Sequence, residues 1–385
     1  MYNMKVAFLL GSLNRGGLET LVLDVFRKAS CADFDFIGIY RKTGSYLPDF
    51  EATGVPFFQC SPSKGRYISY LFRLRKLLKN GKIQIVHAQQ TIDFLFAKIA
   101  CLGTDIKVVE TFHGYDFGGS RVLKCMTRLS IRLADAVCFV SEAQCKYYIK
   151  AYRLSKKMQG KCHVVYNGVN FSKLDQKYDI PDFLKKIDSV QPRKIKLAMV
   201  GNFVSVRSQS VVCKALAVLS KRGLGDFDFY FIGKRNDKEP WRYDDCVSFV
   251  EGNGLSECVH FMGGRGDVPA ILQNIDGFVY STDHDTFGIA VVEAMAAGLP
   301  VLVNDWDVMR EITQNGKWAT LYKSNEVEDC ADKIANLIEN LQLCQKRATT
   351  YMNDIIDFYS IEKHITRLGN VYKRLLTGFS KKSSL

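Results

Sequence analysis

The chain has 385 residues, 47% of them hydrophobic and only 8 of them proline. This excludes a disordered protein and exceeds one ordinary core, so two domains are expected. The 53 Lys and Arg against 40 Asp and Glu leave a formal charge of +13, which favours polyanionic partners such as nucleic acid, an anionic membrane or phosphorylated substrates.

The opening "MYNMKVAFLLGSLNRGG" holds a short apolar run followed by polar residues and glycines. It is too short for a signal peptide core, and no run approaches the roughly 20 residues of a spanning helix, so a cytoplasmic protein is expected. The twelve cysteines include no C-x-x-C pair, so zinc knuckles are not expected and most cysteines are small core hydrophobes in a reducing compartment. Gly11, Gly16 and Gly17 lead into the helix "GLETLVLDVFRKAS", a turn suited to close backbone approach by a ligand. It has neither the Lys-Ser/Thr of a P-loop nor G-x-G-x-x-G spacing.

Apolar runs at "KVAFLL", "FDFIGIY", "VPFFQC", "IQIVHA", "KVVETFH", "AVCFVS" and "CHVVYN" read as strands, with amphipathic helices between most of them. This alternation predicts an α/β, doubly wound parallel sheet whose ligands lie beyond the carboxyl ends of the strands. Stretches 64–82 and 121–133 read as helices with Lys or Arg between apolar residues. They are either solvated faces or contacts to an anionic membrane surface. No RNP1 motif or zinc finger accompanies the charge, so nucleic acid is not expected. "TFHGYD" places His113 and Asp116 after the fifth strand, where an imidazole can bind a sugar or phosphate group or simply cap a loop.

The pattern stops between Phe171 and Lys194, a charged stretch read as the linker. It restarts with "KLAMVG", "FDFYFIG", "VHFMG", "GFVYS", "PVLVN" and "ATLYK", a second doubly wound domain. The expected domains are 1–175 and 176–359, with a last helix at 360–380 returning to the first. After "VGNF", Arg207 stands near a helix start, where a guanidinium and backbone amides suit a diphosphate. Arg265 lies in the glycine loop "GGRGD". In "DTFGIAVVEAMAAGLPV", Asp285 precedes a helix and Glu293 lies within it. The amides of Phe287, Gly288 and Ile289 are donors at its start. Two acids and free amides suit a nucleotide sugar, with its hydroxyls and diphosphate; otherwise Asp285 is an ordinary N-cap. That helix is apolar nearly all round, so a carboxylate at Glu293 needs partners.

In these motifs, in this order over nearly its full length, the sequence resembles the retaining nucleotide-sugar glycosyltransferases of family four, with the GT-B fold of two Rossmann-like domains facing a cleft. The resemblance implies that Asp285 binds donor sugar hydroxyls and Glu293 the ribose, with Phe287, Gly288 and Ile289 offering amides to the sugar-phosphate. Arg207 takes the place of the diphosphate-binding lysine, Gly16 and Gly17 of the loop closing on both substrates, His113 of the histidine near the reacting centre, and Arg265 of the loop bordering the base. Asp116 is grouped with His113 on the acceptor side.

The pattern is broken at three places. Asp285 replaces the usual Glu, Asn202 replaces an arginine beside the diphosphate, and a glycine pair near Asp307 and Val308 is missing. The implied reaction is retaining sugar transfer to an acceptor hydroxyl in surface polysaccharide, O-antigen or other glycoconjugate biosynthesis, with a glycan or lipid-linked saccharide acceptor. No cofactor or metal is expected, although "DHD" at 283–285 could in principle bind Mg or Mn. The alternatives are a GT-B-fold sugar epimerase or phosphorylase, or a non-catalytic sugar-nucleotide or glycan-binding subunit.

Overall fold

A computed structural model describes residues 4–63, 65–188 and 194–377. Position 64 of the first basic stretch, 189–193 of the expected linker and 378–380 of the expected last helix lie outside the described residues. The chain divides into two compact units, one reaching Val169 and resuming at Tyr359, the other Asn170–Phe358.

In the first unit seven parallel strands run β1 (Met4–Ser12), β2 (Phe34–Lys42), β3 (Phe57–Gln59), β4 (Ile85–Ala88), β5 (Lys107–Phe112), β6 (Ala136–Phe139) and β7 (Cys162–Val164). Their order across the sheet is β3-β2-β1-β4-β5-β6-β7. The strands are apolar on both faces because helices cover both: β4 and β6 are buried at every position, as a parallel sheet requires. Helix Gly17–Arg27 presses Leu21, Val22, Val25 and Phe26 inward, and Phe26 meets Phe8 and Phe36 at 5.7 Å between ring centres.

Helix Ile361–Thr377 completes this unit. Ile361, Ile365, Leu368 and Tyr372 recur at helical spacing and join the core cluster of β1 and β2. Each buried aliphatic side chain contributes about 1.5–3 kcal/mol, enough to hold the helix far from its sequence neighbours. Gly369 allows a close approach, since a Cβ there would stand 3.2 Å from Phe34.

The second unit has six parallel strands: β8 (Ile195–Val200), β9 (Phe227–Ile232), β10 (Val259–Phe261), β11 (Gly277–Tyr280), β12 (Val301–Asn304) and β13 (Thr320–Tyr322). They are ordered β10-β9-β8-β11-β12-β13. In both sheets the strand order reverses beside the first strand, between β1 and β4 and between β8 and β11. Those switch points open crevices at the carboxyl ends, where ligands of such sheets bind.

The first unit closes at Val169 rather than at 175, and the described part of the expected linker belongs to the second unit. Helix Asp182–Asp188 buries Leu184 completely and packs Phe183 at 5.2 Å from the Tyr230 ring. Phe183 and Leu184 dock a short helix in which four of seven residues are charged, and those charges mask it in a composition-based reading.

Candidate active site

The loops after β8 and β11 meet at the second switch point. Arg207 forms an isolated backbone bridge to Thr282, and its guanidinium donates to Asp285 Oδ1. The Tyr280 hydroxyl, from the last residue of β11, donates to Asp285 Oδ2 at 2.5 Å. The Arg207 guanidinium carbon lies 5.2 Å from the centre of the Tyr280 ring. The side chains of Arg207 and Asp285 are only 19% and 12% exposed, so the pair is largely withdrawn from water. Burial opposes the Arg207 charge, but Tyr280 and Asp285 outweigh it and raise the pKa. Arg207 Nε is buried without a hydrogen-bond partner.

The loop carrying Asp285 is held from several sides. Thr282 Oγ1 donates to the Val206 carbonyl at 2.5 Å and accepts from Asp285 N at 3.2 Å. Asn304, at the end of β12, accepts from Thr282 N at 2.9 Å and donates to Thr282 O at 2.7 Å. Ser208 donates to Asp283 at 2.6 Å, and the Trp306 indole donates to the Asp285 carbonyl at 3.2 Å. A carboxylate fixed from both sides keeps one position at little further entropic cost.

Helix Ile289–Ala296 starts behind this loop, with Gly288 as N-cap at φ +90° and no side-chain cap. A Cβ at Gly288 would lie 2.8 Å from Met309 Cε, the movable end of a flexible side chain, so it is the backbone angle that requires glycine. Phe287 is buried and Gly288 precedes the helix, while Ile289 begins it. Asp285 therefore is not the N-cap. Glu293 stands one turn inside and half-buried, and Gly298 closes the helix at φ +76°.

The other expected donor-side residues have structural partners nearby. Asn202 Oδ1 accepts from Lys234 N at 2.9 Å, tying the loop after β8 to the end of β9. Arg265 forms a bidentate pair with Asp267 at 2.8 and 2.6 Å and lies 4.8 Å from the Phe183 ring centre. Asp283, His284 and Asp285 do not converge. Ser208 takes Asp283, Arg207 and Tyr280 take Asp285, and His284 faces Trp306 at 5.7 Å. No group of three potential metal ligands occurs among the described residues.

In the first unit His113 follows β5, and its Nε2 pairs with Gln89 Oε1, beyond β4, at 2.8 Å. His87 pairs with Tyr372 at 2.5 Å and Thr111 at 2.6 Å, and His364 Nδ1 pairs with the Tyr166 carbonyl at 2.7 Å. These residues, apart from the two tyrosines, line one small cavity. Burial pushes His87 and His113 down to about 3 and His364 to about 4, keeping all three neutral at pH 7. Gly17 has open space where a Cβ would be, whereas a Cβ on Gly16 would meet the Glu19 carboxylate at 2.5 Å. Asp116 is buried and accepts from the hydroxyls of Tyr147, at 2.7 Å, and Tyr152.

Sequence reasoning missed Tyr280, Asn304 and Trp306 in the second unit, and Gln89, His87 and His364 in the first. Tyr280 and Asn304 occupy strand ends, as Asp285's neighbours should, but read as ordinary strand residues. His364 carried no local signal, because its place depends on a helix returning from the far end of the chain.

Two family models match the chain: Glycosyltransferase Family 4 over residues 15–173 and Glycosyl transferases group 1 over residues 182–351. The chain is similar to an Escherichia coli UDP-Gal:alpha-D-GlcNAc-diphosphoundecaprenol alpha-1,3-galactosyltransferase, 22% identical over 92% of this chain and 93% of the relative. A Campylobacter jejuni N,N'-diacetylbacillosaminyl-diphospho-undecaprenol alpha-1,3-N-acetylgalactosaminyltransferase is 25% identical over 74% and 76%. A Rickettsia africae glycosyltransferase superposes with TM-score 0.83 at 18% identity, covering 99% of this chain and 100% of that one. Anabaena HepE, in complex with UDP and glucose, superposes with TM-score 0.80 at 19% identity, covering 96% and 100%.

Proposed function

Since the chain belongs to the family 4 glycosyltransferases, with the GT-B fold, we propose that it transfers a sugar from a nucleoside diphosphate to an acceptor hydroxyl with retention, in glycoconjugate biosynthesis. The observation that carries this reading is the Arg207–Asp285 pair at the second switch point, beside the start of helix Ile289–Ala296. A guanidinium with a free buried Nε and nearby backbone amides suits a diphosphate. Asp285 and Glu293 are assigned to the hydroxyls of sugar and ribose.

In the proposed step the bond from the anomeric carbon to the phosphate oxygen breaks, and the acceptor oxygen bonds to that carbon on the same face. The acceptor's proton passes to the departing phosphate oxygen, so no carboxylate nucleophile is required, unlike a retaining hydrolase. Arg207 and the amides stabilise the charge on the leaving diphosphate. Neutral His113 is assigned to the acceptor side, where it can accept or donate a hydrogen bond without carrying charge.

Both Asp285 oxygens are already engaged, by Arg207 and Tyr280. That observation favours the second reading, a subunit that binds sugar nucleotides without turnover. Mass-spectrometric screening of the purified chain against nucleotide sugars, with product anomers assigned by NMR, separates the two. Release of nucleoside diphosphate with a retained anomer is expected, and binding without release across the panel supports the second reading instead.

The relatives' diphosphoundecaprenol substrates make a lipid-linked acceptor the preferred class. Two helices of the first unit fit a membrane-surface role. Tyr67–Asn80 exposes Ile68 (73%) and Phe72 (69%) among Arg and Lys, and Arg121–Leu133 exposes Val122 (68%) likewise. No described helix is long and apolar enough to cross a membrane. Flotation with anionic but not neutral vesicles is the expected result, and equal flotation with both removes the electrostatic part.

A further inference from the structure

We propose that a pocket on the first unit binds a diphosphate group carried on an apolar chain. Its assignment to the acceptor's charged end rests on the glycosyl-transfer reading above. The cavity measures about 320 Å3, at the small end of ligand sites. Arg121, Lys124, Cys125 and Arg128 line one side, and their i, i+3, i+4, i+7 spacing puts them on one face of helix Arg121–Leu133. Tyr147 and Tyr152 stand opposite, with Asp116.

The charges in this pocket are unequally satisfied. Asp116 is its one carboxylate, and both its oxygens accept from tyrosine hydroxyls. Arg121, Lys124 and Arg128 form no ion pair with any described residue, and Arg128 is set 5.9 Å from the centre of the Tyr152 ring. Three cations therefore face the cavity against one carboxylate already turned to other donors. A solvated helix face has no such wall behind it. The axial rise from Arg121 to Arg128, about 10 Å at 1.5 Å per residue, lets two guanidinium forks converge on a diphosphate from either end. The chain neighbours of the lining residues supply an apolar border: Phe117, next to Asp116, is 44% exposed, and Val122 and Leu129, next to Arg121 and Arg128, are 68% and 45% exposed. A free anion has no use for that border, whereas a chain-bearing diphosphate covers it.

Cys125 gives a readout inside the pocket, and Cys31, also exposed, gives an internal control. The full chain is labelled with N-ethylmaleimide, and both sites are quantified by mass spectrometry with farnesyl diphosphate, farnesol, inorganic diphosphate or UDP. At ten times its dissociation constant, farnesyl diphosphate is expected to slow Cys125 labelling about tenfold and leave Cys31 unchanged. Arg121→Ala with Arg128→Ala is expected to abolish this protection. Unchanged Cys125 labelling with farnesyl diphosphate overturns the site. Equal protection by farnesol overturns the anion chemistry, and equal protection by inorganic diphosphate overturns the apolar chain. UDP is expected to raise the melting temperature without protecting Cys125. No thermal shift with UDP counts against the nucleotide-sugar reading alone, leaving the pocket to be judged by Cys125.

Discussion

Arg207 and Asp285, seventy-eight residues apart in sequence, are joined as a largely buried ion pair in which the Tyr280 hydroxyl takes the second carboxylate oxygen. The pair sits where the strand order reverses, so the two loops that carry it cannot drift apart without opening the sheet end.

Removing one partner strands the other charge. Arg207→Ala is expected to cost about 3 kcal/mol of stability and to lower transfer by orders of magnitude. Arg207→Met with Asp285→Asn is expected to recover most of the stability and none of the activity. Thermal melts and transfer assays on both variants check this, and recovered activity in the double variant takes the pair out of the chemistry.

Tyr280→Phe keeps the ring beside Arg207 but deletes the donor to Asp285. A hydrogen bond to a charged group contributes about 1.5–3 kcal/mol, so a loss of that size in stability is expected. Transfer should fall further than stability explains, because the carboxylate gains a rotamer. Wild-type kcat and KM in this variant would show that the hydroxyl does not position Asp285.

Gly288→Ala introduces a Cβ at φ +90° and 2.8 Å from Met309 Cε. A left-handed conformation costs an ordinary residue about 1–2 kcal/mol. The helix start is expected to shift, with weakened UDP binding by calorimetry as the measured consequence. Unchanged affinity would mean that the amides at this helix start do not meet the nucleotide.

Transfer is expected to persist in excess EDTA, because the carboxylates of the D-H-D run are already committed to Ser208, Arg207 and Tyr280. Loss of activity restored by Mg or Mn would reverse this expectation.

The first unit should respond to acid through groups buried in its core. His87 and His364 have folded pKa values of about 3 and 4, below the ordinary 6.5. The unfolded chain thus binds more protons between those limits, and stability falls as pH drops below 6.5, by about 2 kcal/mol per histidine at pH 5. Buried Glu110 has the opposite sign. Burial pushes it up to about 7, so its folded state holds a proton that the unfolded state releases above 4.5, and stability is lost as pH rises through 7. Glu110→Gln is therefore expected to steepen the loss between pH 7.5 and 5 by about 2 kcal/mol. Parallel melting curves for variant and parent over that range would contradict this.

All thirteen strands were legible as apolar runs, most plainly inner ones such as β4 and β6, because a strand buried on both faces must be apolar along its length. The helix carrying Glu293 was legible as well, because Gly288 and Gly298 bound an apolar run. The first unit's boundary was not, since the pair Phe183–Leu184 docks a helix that composition reads as linker. Asp285 does precede its helix as the sequence indicates, and the alternative of an ordinary N-cap falls only because Gly288, three residues on, caps the helix instead.

The sequence by itself determined two parallel-sheet domains and the loops that carry polar residues, since both follow from burial, periodicity and turn chemistry along the chain. Tertiary structure alone decided which of those residues touch. Arg207 reaches Asp285 because β11 lies beside β8, and His364 lines a first-unit cavity because an apolar helix face returns nearly two hundred residues after Tyr166, whose carbonyl meets its ring. Contacts of that range are set by strand order and helix docking, which no local pattern encodes.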